Sequence, residues 1–208
     1  MHISDGVLSP AVIAFGWISS IIFIALAFRW AQKEGSIAEQ IPKLSVFTAA
    51  FFVASLIHIN VPPTSVHLIL NGLLGVVLGA LAYPAMFIGL VLQALLFQHG
   101  GITTIGVNSF NVGAPALICY AVFRKGSGMG ISKPAIGGIC GGLAILLTTV
   151  FLALTLITTG QQFEMMAKLV VIPHMVIMVI EAIVTASVVS YLAKVKPELL
   201  PLKREDKK

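Results

Sequence analysis

The chain has 208 residues, of which 58% are hydrophobic and only 10% charged, against about 25% charged in a soluble domain. A mean hydropathy of +1.01 excludes a soluble globular core and describes a polytopic, all-α membrane protein. The formal charge is +5, but the cations gather at the ends of apolar runs, a pattern that orients a chain in a bilayer and speaks against a nucleic-acid partner.

The opening MHISDGVLSP carries no Lys or Arg, and the first cation is Arg29. With no basic start and no small-residue cleavage pattern it does not read as a signal peptide, so these residues are expected to persist in the mature protein. Seven apolar segments follow, each near the ~20 residues that span the hydrocarbon. The first runs from about Pro10, which fits the first helical position behind Ser9, to Arg29. The second runs from Pro42 to about Asn60, the third from near Val66 to Tyr83, and the fourth from Pro84 to near Gln98. The fifth covers about Ser109 to Phe123, the sixth Pro134 to Thr159 and the seventh Lys168 to Leu192. The chain then divides into an amino-terminal segment 1–9, a seven-helix bundle 10–195 and a basic tail 196–208.

Arg29, Lys33 and Lys43 flank the first loop, and Arg124, Lys125 and Lys133 the fifth; the tail KVKPELLPLKREDKK holds six more cations. All twelve fall on one side, with only Lys168 opposite, so this side is read as cytoplasmic and the amino terminus as external. The external side then collects Met1, His2, Asp5, His58, His67, His99 and Glu164. Cys119 and Cys140 lie inside apolar runs and read as buried thiols. The glycines of GVVLG and GGICGG have helix-packing spacing, inside the bundle or against another subunit. Glu181 is the one acid deep in an apolar run, a functional candidate by default, with His174 seven residues earlier and about 10 Å away along the axis. The methionines at 165, 166, 175 and 178 read as packing.

The first two residues are a potential chelate. The Met1 amine and the His2 amide close a five-membered ring around a metal, and the amide and near ring nitrogen of His2 close a six-membered one. A fourth nitrogen completes a square-planar site suited to Ni(II) or Cu(II). His67 offers it: PPTS is expected to cap a helix at Thr64 or Ser65, placing His67 in the first turn, where the helix dipole keeps its imidazole neutral. Asp5 is placed to orient the other ring nitrogen of His2. The amine (about 7.7), the imidazoles (about 6.5) and the amide must all lose protons, so affinity is expected to fall steeply on acidification.

MHISDGVLS, PPTSVHLILNGLLG and QALLFQHGGITTIGVNSFN, in this order, resemble the substrate-capture subunits of energy-coupling-factor transporters for nickel and cobalt, the NikM/CbiM family. The Asp5-Gly6 opening is more similar to the nickel branch. The resemblance implies a helix ahead of a six-helix core, with a nearly planar metal set of the Met1 amine, the His2 amide and ring, and the His67 ring. It implies partners: a transmembrane coupling subunit, two cytoplasmic ATPase subunits and often a small accessory membrane subunit, in a prokaryotic plasma membrane. Gln93, Gly100, Gly101, Asn108 and Asn111 match its outer-loop motif. His58, His99, Ser65, Asn108 and Asp5 are candidates for the lid or the support of the site, with a solvated helix end the plainer reading of His58. No G-x-x-x-x-G-K-[ST] occurs, so the energy of ATP must come from partners. Three alternatives stay open: a cobalt-specific subunit serving cobalamin synthesis, a proton-coupled permease using Glu181 and His174, and an intramembrane metallohydrolase, for which H-E-x-x-H is absent.

Overall fold

The computed structural model describes residues 2–34, 36–61 and 64–201. Six helical segments among them are long and apolar enough to cross a membrane. Helix α1 (Pro10–Glu34) and α2 (Ile37–Ala54) lead into an antiparallel hairpin, β1 (His58–Val61) and β2 (Thr64–His67). Then come α3 (Asn71–Leu78), a 3-10 turn (Gly79–Leu81), α4 (Ala82–Phe97), α5 (Ile105–Gly128) and α6 (Lys133–Thr159). A short α7 (Glu164–Leu169) precedes α8 (Val171–Val195).

Several expected boundaries move. The first helix runs on past Arg29 to Glu34. The second begins behind Ser36, which places Pro42 inside it. The seventh segment is split, α7 ending at Leu169 and α8 starting at Val171. The third and fourth segments form one continuous helical stretch, 71–97, bent at the 3-10 turn. This stretch is not a rod. A straight helix of 27 residues would be about 40 Å long, yet His67, just before it, and His99, just after it, have ring centroids 5.0 Å apart. The chain therefore doubles back, and the bend falls at Gly79, whose φ of 59° suits glycine. A Cβ at Gly79 would also crowd the Tyr120 ring at 3.2 Å.

Both limbs of this doubled stretch are sunk in the core. Leu74, Val76, Ala82, Tyr83, Ala85 and Met86 have no exposed surface. The glycines serve packing within the bundle: a Cβ at Gly75 would strike Ala116, one at Gly137 would press on Val189, and one at Gly141 would enter the backbone of Glu181. On the perimeter, Ile18, Ile21, Leu95, Leu96, Ile172 and Ile183 are exposed, as lipid-facing side chains are. Met165 and Met175 share that exposed position. At one end of the bundle Lys43 donates from Nζ to the carbonyl of Leu199 at 3.2 Å, bringing the start of α2 beside the end of α8. The histidines lie at the other end. Residues 202–208 of the basic tail lie outside the described residues.

Candidate metal centre

Three chain segments meet at the histidine end: residues 2–9, the β-hairpin with its exit to α3, and the loop 98–104. The hairpin register pairs His58 with His67, so their side chains leave the same face of the ribbon. His67 was expected in a helical turn, but it closes a strand. Four extended residues on each side, rich in Val, Ile and Thr, pair across Val61 and Thr64, and cross-strand bonding wins over the capping signal of PPTS. The helix begins only at Asn71, after Leu70 has adopted a left-handed φ of 56°.

The amino-terminal segment is fastened to the loop and to α5. Ile3 N–H donates to Asn108 Oδ1 at 2.9 Å, and Asn108 Nδ2 returns a bond to the Ile3 carbonyl at 3.0 Å. Thr104 Oγ1 donates to the same carbonyl at 2.6 Å. Asp5, expected beside His2, instead accepts from Ile102 N–H at 3.0 Å, from Thr103 N–H at 2.9 Å and from the Thr103 hydroxyl. The Thr103 hydroxyl first, with the two backbone N–H groups, holds the Asp5 carboxyl below its usual range. Two consecutive backbone donors outcompete a single imidazole N–H, so Asp5 is a clamp on the loop. Gly101 makes the approach possible, since a Cβ there would run into the Asp5 carboxyl and backbone.

This clamp delivers His2 to His67 and His99. The three ring centroids are 5.0 Å from one another in every pair, and one nitrogen from each lies within 4.8 Å of the others. His58 stands behind them, 5.8 Å from His67 and 5.7 Å from His99, with its Nδ1 3.0 Å from the Leu56 carbonyl. His67 is 1% exposed. Its Nδ1 faces the Leu68 carbonyl at 2.8 Å, so Nδ1 carries the proton and Nε2 keeps its lone pair. Nε2 of His67 is sealed from solvent with no hydrogen-bond partner, which marks a place for a ligand; Nε2 of His2, the ring nitrogen far from the backbone, is buried too, with the Gln93 side chain beside the ring. Burial is the first cause that holds all three rings neutral: His2 falls well below the usual histidine range, His67 to about 3 and His99 to about 4. Neighbouring imidazoles push in the same direction. The dipole argument for a neutral His67 is thus replaced by burial. Three neutral, nitrogen-only, converging donors are a set whose chemistry suits a borderline transition-metal cation.

Met1 and the side chain of Ser65 lie outside the described residues. Asn108 supports the site by holding Ile3, and Gln93 is buried with its Nε2 on Ser55 Oγ at 2.8 Å. Asn111 Oδ1 accepts from Thr155 Oγ1 at 3.1 Å, joining α5 to α6. Glu181 and His174 share no bond. Glu181 Oε1 instead accepts from Ile69 N–H at 2.6 Å and Leu70 N–H at 2.8 Å, a contact sequence reading missed because the partners are 112 and 111 residues apart. His174 Nδ1 faces the Val170 carbonyl at 2.6 Å. Cys119 and Cys140 are both free thiols, each donating to the other's carbonyl across the α5–α6 contact.

The chain matches, over residues 2–199, the family model CbiM, described as cobalt uptake substrate-specific transmembrane region. It is 32% identical to a Haemophilus influenzae protein named for metal transport, over 96% of this chain and 97% of that one. It is 30% identical to an Archaeoglobus fulgidus protein named as a fused nickel transport protein, NikMN, over 98% of this chain and 69% of that one. A crystal structure of a truncated transition metal transporter superposes with a TM-score of 0.78 at 27% identity, covering 93% of this chain and 99% of that one.

Proposed function

Since the chain belongs to the CbiM family of cobalt-uptake transmembrane regions, and so to metal-transport proteins rather than enzymes, we propose that it captures Ni(II) for an energy-coupling-factor uptake transporter. The observation that carries this reading is the convergence of the His2 ring, 5.0 Å from that of His67, on the buried and unpartnered Nε2 of His67, at a segment tied down by Asp5 and Asn108. The ion is substrate. The Met1 amine, the His2 amide and ring, and the His67 ring supply four nitrogens in a near plane, with His99 and His58 over the entrance. An all-nitrogen planar set suits Ni(II) and also Cu(II), which is expected to bind in vitro because its intrinsic affinity is higher.

On this reading the doubled-back stretch 71–97 counts as two limbs of a seven-helix bundle, with an external amino terminus and a cytoplasmic carboxyl terminus, in a prokaryotic plasma membrane. That orientation puts the histidines on the side from which the ion comes and the basic ends of the helices on the other. Energy comes from two cytoplasmic ATPase subunits through a transmembrane coupling subunit, with a small accessory membrane subunit beside them. A proton-coupled permease is disfavoured because Glu181 is engaged by the backbone before α3.

The test is a residue added ahead of Met1. It moves the amine out of its chelate ring, and the extended protein is expected to lose tight Ni(II) binding by calorimetry. Undiminished affinity would refute the planar set. A second reading, Co(II) for cobalamin synthesis, is favoured by His99. Its ring nitrogen shares the 4.8 Å cluster, and an apical imidazole suits the higher coordination Co(II) accepts. A yellow, diamagnetic Ni(II) complex supports the first reading, and a paramagnetic one the second.

A further inference from the structure

Glu181 is the most secluded acid among the described residues, with no exposed surface, near the middle of α8. Its Oε1 is reached by two successive backbone donors, Ile69 N–H at 2.6 Å and Leu70 N–H at 2.8 Å. The Ile69 N–H belongs to the peptide group that joins Leu68 to Ile69. The carbonyl of that same peptide group faces His67 Nδ1 at 2.8 Å. One planar peptide thus has the carboxyl on its donor side and the imidazole on its acceptor side. Hydrogen bonds linked through a polarisable group strengthen one another.

We infer that Glu181 is the positioning residue of the metal centre, acting through the Leu68–Ile69 peptide to fix the tautomer and orientation of His67. Metal-bound histidines commonly give their second N–H to a carboxylate or a carbonyl, which orients the ring and raises its basicity. Here the two are placed in series. The carboxyl draws on the peptide N–H, and the carbonyl becomes a better acceptor. His67 Nδ1–H is held, and Nε2 is left as the donor. The same carboxyl oxygen fastens Leu70 in its left-handed conformation, which lets the chain turn from strand into α3 and keeps the peptide at a fixed angle. The anchor does not drift, because Gly141 of α6 packs so closely on the backbone of Glu181 that a Cβ there would collide with it. This assignment rests on His67 being a metal ligand.

The experiment compares the full chain with Glu181→Gln, Glu181→Leu and His67→Ala in Ni(II) titrations, with 15N NMR of His67 in the metal-free protein. Glutamine keeps the size and one acceptor oxygen but replaces the other carboxyl oxygen with an amide NH2. It is expected to fold with the parent's melting temperature, weaken Ni(II) binding by about 10-fold or more, and shift the d–d absorption of the complex to lower energy. In metal-free Glu181→Gln the Nδ1–H signal of His67 is expected to broaden or to share intensity with the Nε2–H tautomer. If Glu181→Gln binds Ni(II) with parental affinity, an unmoved d–d band and an unmoved His67 signal, Glu181 is a fold determinant only and the inference is wrong. If Glu181→Leu fails to fold, the glutamine variant alone decides. If His67→Ala keeps parental affinity, the reading of His67 as a ligand fails. If the NMR tautomer of His67 nevertheless depends on Glu181, the relay itself stands apart from that failure.

Discussion

Asn108→Ala isolates what fastening the amino-terminal segment is worth. The side chain, 4% exposed, makes the paired bonds to Ile3 at 2.9 and 3.0 Å. Alanine removes both. The Ile3 carbonyl keeps its bond from Thr104 at 2.6 Å, but its N–H becomes a buried donor without an acceptor. Stranding such a group costs about 1–3 kcal/mol, and the chain avoids the cost by letting residues 2–4 leave the loop. Apparent affinity falls by the fraction of molecules that still hold the binding geometry, so the Ni(II) dissociation constant is expected to rise by about 5- to 150-fold. The bundle core is untouched, so the metal-free melting temperature moves little. Calorimetric titration of parent and variant at one pH measures the ratio. An unchanged dissociation constant would mean that residues 2–4 are held without Asn108, or that the metal does not need them there.

The remaining expectations concern the loop, acidity and orientation. Gly101→Ala puts a methyl group where the Asp5 carboxyl and backbone lie; it is expected to displace the clamp and weaken Ni(II) binding without unfolding the bundle, and parental affinity would show that the clamp is dispensable. Because burial holds His2 well below the usual histidine range and His67 near 3, neither ligand ring releases a proton on binding between pH 8 and 6. The affinity lost over that range then comes from the amide and the amine, and proton release measured in several buffers should count about two protons at pH 6. Between about three and four protons would mean that the two ligand rings titrate normally. Burial of neutral imidazoles has a second consequence of fixed sign. A depressed folded-state value makes stability full above about 6.5 and erodes it as pH falls toward about 3; a metal-free melting temperature independent of pH between 7 and 4.5 would contradict it. A cysteine at Ser132, beside Lys133, should react with an impermeant maleimide only from the cytoplasmic side of inverted vesicles, and labelling of intact cells would reverse the orientation.

Sequence reading located the long apolar helices and the histidines that the fold gathers, His2, His67 and His99, because both leave local signals: long apolar runs, and imidazoles outside them. The hairpin was missed for a physical reason. Two four-residue strands are too short to show alternation, and PPTS is as good a start for a helix as for a turn. The β-branched residues flanking the two prolines, Val61 and Thr64, were the available signal. Asp5 and Asn108 appeared as candidate support, but Asp5 was given the wrong partner because the Thr103 contact closes a loop of 98 residues, beyond any spacing rule. Glu181 was conspicuous as an intramembrane acid. Its partners could not be read, since the donors it accepts from are the peptide N–H groups of Ile69 and Leu70, which no side-chain pattern reports.

The doubled-back course of the chain at Gly79 has a consequence for traffic. Because α3 starts only where it meets the middle of α8, the space above it is filled by strand and loop, whose peptide groups are not all paired as in a helix. Such backbone is tolerated at membrane depth only when protein surrounds it. The neighbouring helices must therefore stay closed around that shaft, and a captured cation has no sideways exit into the acyl chains. If the histidine cluster captures the ion, its way out runs along the bundle axis, back past the hairpin and the 98–104 loop or inward past α3.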